Sequence, residues 1–436
     1  MKAFKYLKIT LLALLLQSHA INVLAGLNIQ HWTTAQGSEV YFVENHALPM
    51  MDISVNFPAG SAHDSPETSG AAGVTQHLMA LVAGGLDEET LTNRFADIGA
   101  VLGGNFDADR AGFKLRTLTS EQAGALEAFS FVLHKPDFPE AVLKREQARI
   151  VAGLQEAETE PDSIAQKAFM RSLYGTHPYS LDQSGEIDTV QSLTVSHLRQ
   201  FYETHYTAKS AVISLIGDLT SAQAKRIAER LSAGLPQGPA VAAVPPVPPL
   251  KTASVKKLPH PALQAHILLG QPGNKRGDAD FFPLYVGNYI LGGGGFVSRL
   301  TEEVREKRGL AYSVYSYFLP MAELGPFQIG LQTKKEQAEE GLQLVKQTVQ
   351  QFIDKGVTEK ELQAAKDNLI GGFPLRIDSN GKILEYLNII GFYKLPLDYL
   401  DSFNDRVAQV TVQQVNDAFK RRLHPENFAT VIVGSE

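Results

Sequence analysis

The chain of 436 residues has no cysteine. Without thiols there is no disulfide, no cysteine-ligated metal and no thiol nucleophile, and no cysteine for an N-terminal lipid. Histidine is present twelve times, yet no His-x-x-x-His and no Glu-x-x-His occurs anywhere. Those spacings would place two ligands on one helix face, so the simplest helical zinc sites are missing. Positive charge is also in deficit, with 40 Lys and Arg against 47 Asp and Glu. An acidic surface disfavours nucleic acid and anionic membranes as partners and favours basic peptides. Long apolar runs are scarce too. Ile9–Leu16 falls well short of the roughly 20 residues that span a bilayer.

That short run sits in a recognisable setting. Lys2, Lys5 and Lys8 precede it, and Val23-Leu24-Ala25 follows a polar stretch. Basic, apolar and small segments in this order describe a secretory signal peptide, residues 1–25, cleaved after Ala25. A secreted, periplasmic chain without a membrane anchor is the expectation. Removal of three lysines and no acids leaves 37 basic against 47 acidic residues, a net charge of −10. With no disulfides, the exported protein must be held by its core.

The mature chain is long enough for two domains. The stretch from Leu235 to Pro249 carries six prolines and cannot be helix interior or central strand. It divides the chain into 26–232, a linker at 233–255, and 256–436. Each half opens with strand-like alternation, at Val40–Val43 and Met51–Phe57 in one and Gln264–Gly270 in the other. In the first half a helix is expected over Ala72–Ala83, stopped by Gly84-Gly85, then a helix Glu88–Ile98, strands Val101–Phe106 and Gly112–Thr117, and a helix Ser120–Leu133. In the second, a helix Phe281–Leu291 leads to Gly292–Gly295. A helix Ser298–Lys307, strands Leu310–Phe318 and Gly325–Thr333, and a long helix Lys335–Lys355 follow. The fold class expected is α+β, a duplicated plan of antiparallel sheet covered by helices.

Three segments carry a resemblance. They are Phe57–Asp64 with Gly70–Leu81, Asp162–Ala165 with Leu173–Tyr179, and Leu291–Leu300 running into Arg305-Glu306-Lys307-Arg308-Gly309-Leu310-Ala311-Tyr312-Ser313-Val314. In order and spacing they resemble the M16 (pitrilysin and processing-peptidase) family. In active members, the helix matching Ala72–Ala83 bears His-x-x-Glu-His. Its histidines bind zinc and its glutamate is the base for the metal-bound water. A glutamate some seventy to eighty residues later completes the ligands.

Here Gln76 and Ala80 occupy the histidine positions, Met79 the position of the base, and Gly153 that of the third ligand. An amide is a poor zinc ligand, alanine and glycine offer no donor, and methionine cannot carry a proton. No metal is therefore expected in this chain. His77 reads as a packed or hydrogen-bonded histidine rather than a ligand. Glu146, Glu156 and Glu158 read as a solvated helix face, and His63 and His177 as loop residues.

Arg305 and Tyr312 are retained. On spacing alone Arg305 could pair with Glu302 or Glu303 and Tyr312 could be strand filler; the resemblance implies instead a clamp on the scissile peptide. Donors prearranged where negative charge develops would stabilise the oxyanion. Gly292–Gly295 lack the Gly-Lys-Ser/Thr ending and the Gly-x-Gly-x-x-Gly spacing of phosphate loops and read as a flexible chamber edge. The resemblance implies a non-catalytic subunit of a heterodimer. Its partner would carry an intact His-x-x-Glu-His and the zinc, and the substrate would be unfolded peptide. The alternatives are an autonomous metallopeptidase with unorthodox ligands and a non-enzymatic peptide-binding scaffold.

Overall fold

The computed structural model describes residues 27–434, so the leader at 1–25 lies outside the described residues. The first sheet contains β1 (Gln30–Thr33), β2 (Glu39–Glu44), β3 (Met50–Phe57), β4 (Val101–Phe106), β5 (Ala111–Leu118) and β6 (Val212–Gly217), in the order β1-β2-β6-β3-β5-β4. The second contains β7 (Ser254–Leu258), β8 (Gln264–Pro272), β9 (Ser313–Phe318), β10 (Pro326–Lys334) and β11 (Ala429–Val433), in the order β7-β11-β8-β10-β9. Setting β1 aside, the two orders are the same. In each, one parallel pair (β2 with β6, β7 with β11) is followed by antiparallel neighbours. The duplication is thus plain in topology, where residue identity between the halves is low.

The helices repeat as well. The first half has α1 (Ala71–Met79), α2 (Glu88–Ala96), α3 (Gln122–His134), α4 (Glu140–Ala157), α5 (Pro161–Tyr174), α6 (Ile187–Ser192), α7 (Val195–His205) and α8 (Ser221–Ala233). The second has α9 (Phe281–Asn288), α10 (Ala338–Lys355), α11 (Glu359–Gly372), α12 (Asn380–Phe392), α13 (Phe403–Gln409) and α14 (Val412–Arg422).

Alternation in β3 explains how the halves are joined. Met51, Ile53, Val55 and Phe57 point into the first core, as the period of two requires. The opposite face, Asp52, Ser54 and Asn56, is not in water but buried. It is covered by α12, a helix of the second half, which packs on β2, β3 and β6. Gly391 lets α12 approach closely, since a Cβ there would stand 2.6 Å from Val212 and 2.7 Å from Tyr41. The exchange is reciprocal. Helix α5 of the first half lies on β8 and β11, with Ala165, Phe169 and Leu173 against Leu268, Val431 and Val433. Each fully buried Phe or Leu in such a seam contributes roughly 1.5–3 kcal/mol.

A polar knot reinforces the seam. Buried Asp109 accepts from Tyr179 Oη (2.5 Å) in its own half and from Tyr393 Oη (2.9 Å) and Ala322 N (2.8 Å) in the other. Burial raises its carboxyl above the usual range, while these donors oppose the shift. Residues 234–253 form no regular element, and Val244 and Val247 are buried against the seam. His177, a loop residue, lies with Nε2 2.8 Å from Pro245 O. No helix among the described residues is long and apolar enough to cross a membrane.

Candidate functional site

Helix α1 is held at its start by Asp64, which accepts from Gly70 N (2.8 Å) and Ala72 N (2.9 Å). Burial pushes its carboxyl up to about 7, against the pull of those two donors. The helix ends at Met79, four residues short of the expected Ala83. Gly84 N donates to Lys135 O and Asp137 N to Val82 O. These long-range bonds take the chain out of the helix before the glycines, at φ +66° and +75°, turn it.

The four degenerate positions occupy different surroundings. Gln76 Nε2 donates to Gly112 O (3.3 Å) and lies where a Cβ on Gly104 would be, 2.4 Å away. Met79 is fully buried in the first core. Ala80 caps the helix end, and Gly153 lies on α4 with nothing within 4 Å of the Cβ it lacks.

Glu146, expected on a solvated face, is only 4% exposed. It faces α1 rather than solvent, with Oε2 3.0 Å from His77 Nε2 and 2.9 Å from Arg149 Nε, and Oε1 2.8 Å from Arg145 Nε. Arg149 Nη2 also lies 2.8 Å from His77 Nε2, and Arg145 reaches Glu88 (2.7 Å). Burial raises Glu146, but His77, Arg145 and Arg149 prevail and hold its carboxyl below the usual range. Position 77 was legible in sequence. Its partner, 69 residues away, had no spacing signal.

The residues present do not fit the family's zinc. One amide is spent on a backbone carbonyl, the Met79 thioether is buried in the core, Ala80 and Gly153 have no donor, and the nearest His and Glu share their oxygens and nitrogens with two guanidinium groups. Among the described residues no group of three His, Cys, Asp or Glu side chains is placed to hold a metal ion. Beside this site a cavity of about 610 Å³ opens between α1, α2 and β4, lined by Gln76, His77, Phe95, Asn105 and Phe106. Strand β4 is the last of its sheet, so one row of its backbone groups is unpaired.

The second half holds Arg305 and Tyr312 differently from the expected helix and strand. Tyr289–Gly293 and Thr301–Glu306 are π-helical turns, with Lys307 N bonded to Glu302 O (3.0 Å). Such wide turns are frequent at functional sites. Gly292–Gly294 are closely packed rather than flexible. A Cβ on Gly292 would meet Ser316 Oγ at 2.4 Å and Ser316 N at 2.6 Å, and Gly295 needs φ +59°.

Arg299 anchors the segment, with Nε and Nη2 bonded to both oxygens of Glu361 (2.7 and 2.8 Å) and Nη2 also to Gly356 O (2.8 Å). Gly309, at φ +62°, donates to Arg305 O and closes it. Glu302 and Glu303 are taken by Lys307 and Arg308 (2.7–2.9 Å), not by Arg305. The Arg305 guanidinium instead lies 4.8 Å above the Phe296 ring, with Glu306 at 3.7 Å.

Tyr312 precedes β9 rather than lying in it. Its N–H donates to Gln332 O (3.0 Å), while its side chain is 76% exposed between buried Leu310 and Val314. Tyr315 and Tyr317 stack at 6.0 Å, and burial raises Tyr317 to about 12. Both line a cavity of about 950 Å³ between the halves, with His266 and Gln332 of the second half and Asp162 and Lys167 of α5.

Comparison with known proteins agrees with this geometry. The family described as Insulinase (Peptidase family M16) matches residues 40–185, and that described as Peptidase M16 inactive domain matches 192–369. The crystal structure of a peptidase M16 inactive domain from Pseudomonas fluorescens is 38% identical, with a TM-score of 0.91, covering 94% of this chain and 99% of that one. The non-peptidase homologue YmxG of Helicobacter pylori is 29% identical over 91% of this chain and 92% of its own length. An uncharacterized zinc protease YmxG of Bacillus subtilis is 25% identical over 93% and 98%. With both halves matched and the interlocked fold shared nearly end to end, the chain belongs to the M16 peptidase family.

Proposed function

We propose that this protein is the non-catalytic subunit of a periplasmic, two-chain M16 zinc endopeptidase, exported by a leader cleaved after Ala25. Zinc, its ligands and the general base belong to a partner subunit with an intact His-x-x-Glu-His. This chain contributes Arg305, Tyr312 and half of the wall around an unfolded peptide. The observation that carries the reading is a contrast between two sites. The helix that would hold metal presents an amide, a buried thioether and a methyl group, whereas Tyr312 is exposed and Arg305 partly exposed beside a closely packed Gly292. Catalysis needs such groups close in space, not in one chain.

The test is reconstitution with the zinc-bearing partner. Arg305→Ala and Tyr312→Phe are expected to leave assembly intact and lower turnover, by about 10²–10³ if an oxyanion contact is lost. Undiminished turnover in both variants would make the chain a scaffold. Chelator-sensitive peptidase activity of the isolated chain, with about one zinc bound per chain, would make it an autonomous enzyme.

A further inference from the structure

The turn Gly295–Val297 raises Phe296 and Val297 from the surface, 70% and 73% exposed, although both are large apolar side chains. Burial would favour both, so their exposure needs a reason. Phe296 lies beneath the Arg305 guanidinium at 4.8 Å, within the range of a cation–π contact. Arg305 makes no hydrogen bond to another side chain among the described residues, and its nearest acid, Glu306, is at 3.7 Å. A long side chain with so few partners would otherwise sample many rotamers. The support under Phe296 is stiff, because Gly292 is pressed against Ser316 and Ser298 Oγ donates to Gly295 O (2.8 Å).

We propose that Phe296 is a positioning residue for Arg305. It holds the guanidinium ready for a peptide carbonyl and, with Val297 and Tyr312, gives preference to peptides bearing an apolar side chain beside that carbonyl. The inference deepens the proposed function and rests on its assignment of Arg305.

Two measurements on the full mature chain test it. In a Trp32→Phe background, Phe296→Trp makes position 296 the sole tryptophan. Acrylamide should quench it less with Arg305 present than with Arg305→Ala, because the guanidinium covers one ring face. Equal quenching overturns the positioning role without reference to any peptide. The second measurement is fluorescence anisotropy with two fluorescein-labelled Gly/Ser dodecapeptides, one carrying a central leucine and the other a central aspartate. The leucine peptide should bind more tightly. Phe296→Ala should weaken it about two- to five-fold and reduce the preference, and Phe296→Tyr should restore both. If Arg305→Ala weakens both peptides but Phe296→Ala changes neither, this inference fails and the function stands. If Arg305→Ala changes neither, or neither peptide binds at millimolar concentration, the assignment of Arg305 fails with it.

Discussion

Replacing Glu361 by glutamine removes the charge that anchors the Arg305 segment, and its cost can be worked from the structure. Glu361 accepts two parallel bonds from Arg299 and further bonds from Thr358 N (2.8 Å) and Thr358 Oγ1 (2.7 Å). Arg299, ahead of burial and Thr358, sets the balance that carries its carboxyl from 4.5 down to about 2. At 1.36 kcal/mol per pH unit, that displacement would be worth about 3 kcal/mol at most. The carboxylate is 30% exposed, so solvent screening brings the expected loss in Glu361→Gln to about 1–2 kcal/mol at neutral pH. The sign follows from linkage. A depressed carboxylate stabilises the fold above its unfolded value and loses that contribution as pH falls toward 2. The difference between wild type and Glu361→Gln in urea unfolding should therefore be full at pH 7 and shrink steadily below pH 4.5. Hydrogen exchange should quicken in residues 298–308 at neutral pH in the variant alone. A difference that stays constant down to the acid limit would refute the argument, because the charge on Glu361 would then not be its source.

Further outcomes are expected at the glycines and at the degenerate site. Gly292→Ala should destabilise by about 1–3 kcal/mol, since its Cβ meets the backbone of Ser316. Gly153→Ala, in mid-helix with open space around it, should stabilise by about 1 kcal/mol. Urea melts of the pair test both, and equal effects would remove the packing explanation. Glu146→Gln should cost about 2 kcal/mol, below the range for fully buried pairs because Arg145 and Arg149 keep part of their surface in water. Glu146 is depressed, so this loss too should fade as pH falls through the carboxylate range. A variant as stable as wild type at pH 7 would mean that the His77–Glu146–Arg cluster contributes nothing.

Much of the architecture was legible locally. Strand β4 has the bounds that alternation and flanking turns suggested, and the other strands named from the sequence differ from their expected bounds mostly by one or two residues. Helix ends were less legible. The end of α1 is decided by bonds to residues more than fifty positions away, and such partners leave no trace in a short window. The wide turns at Tyr289–Gly293 and Thr301–Glu306 leave no mark in the sequence, because their side-chain pattern is close to that of an ordinary helix. For the same reason the glycine run suggested freedom. Only the positions of Ser316 on β9, Asn288 and Tyr289 reveal that Gly292, Gly293 and Gly294 have no room for a Cβ.

By itself, the amino-acid sequence determined which chemistry this chain can bring. Donor atoms are a property of residue type, so Gln76, Met79, Ala80 and Gly153 lack a zinc-binding set in any fold, and Arg305 and Tyr312 keep their charge and phenol. The tertiary structure alone decided where those groups stand and what they touch. The polar face of β3 could have been solvated, Glu146 could have faced water, and Arg305 could have paired with Glu302 or Glu303. The first two were settled by partners distant in sequence, α12 over β3 and His77 beside Glu146, and the third by the wide turn that brings Phe296, nine residues back, under the guanidinium. Local preference sets the elements, but burial and pairing depend on distances in space, and those exist only once each half has folded and, for the covered face of β3, once the two halves have interlocked.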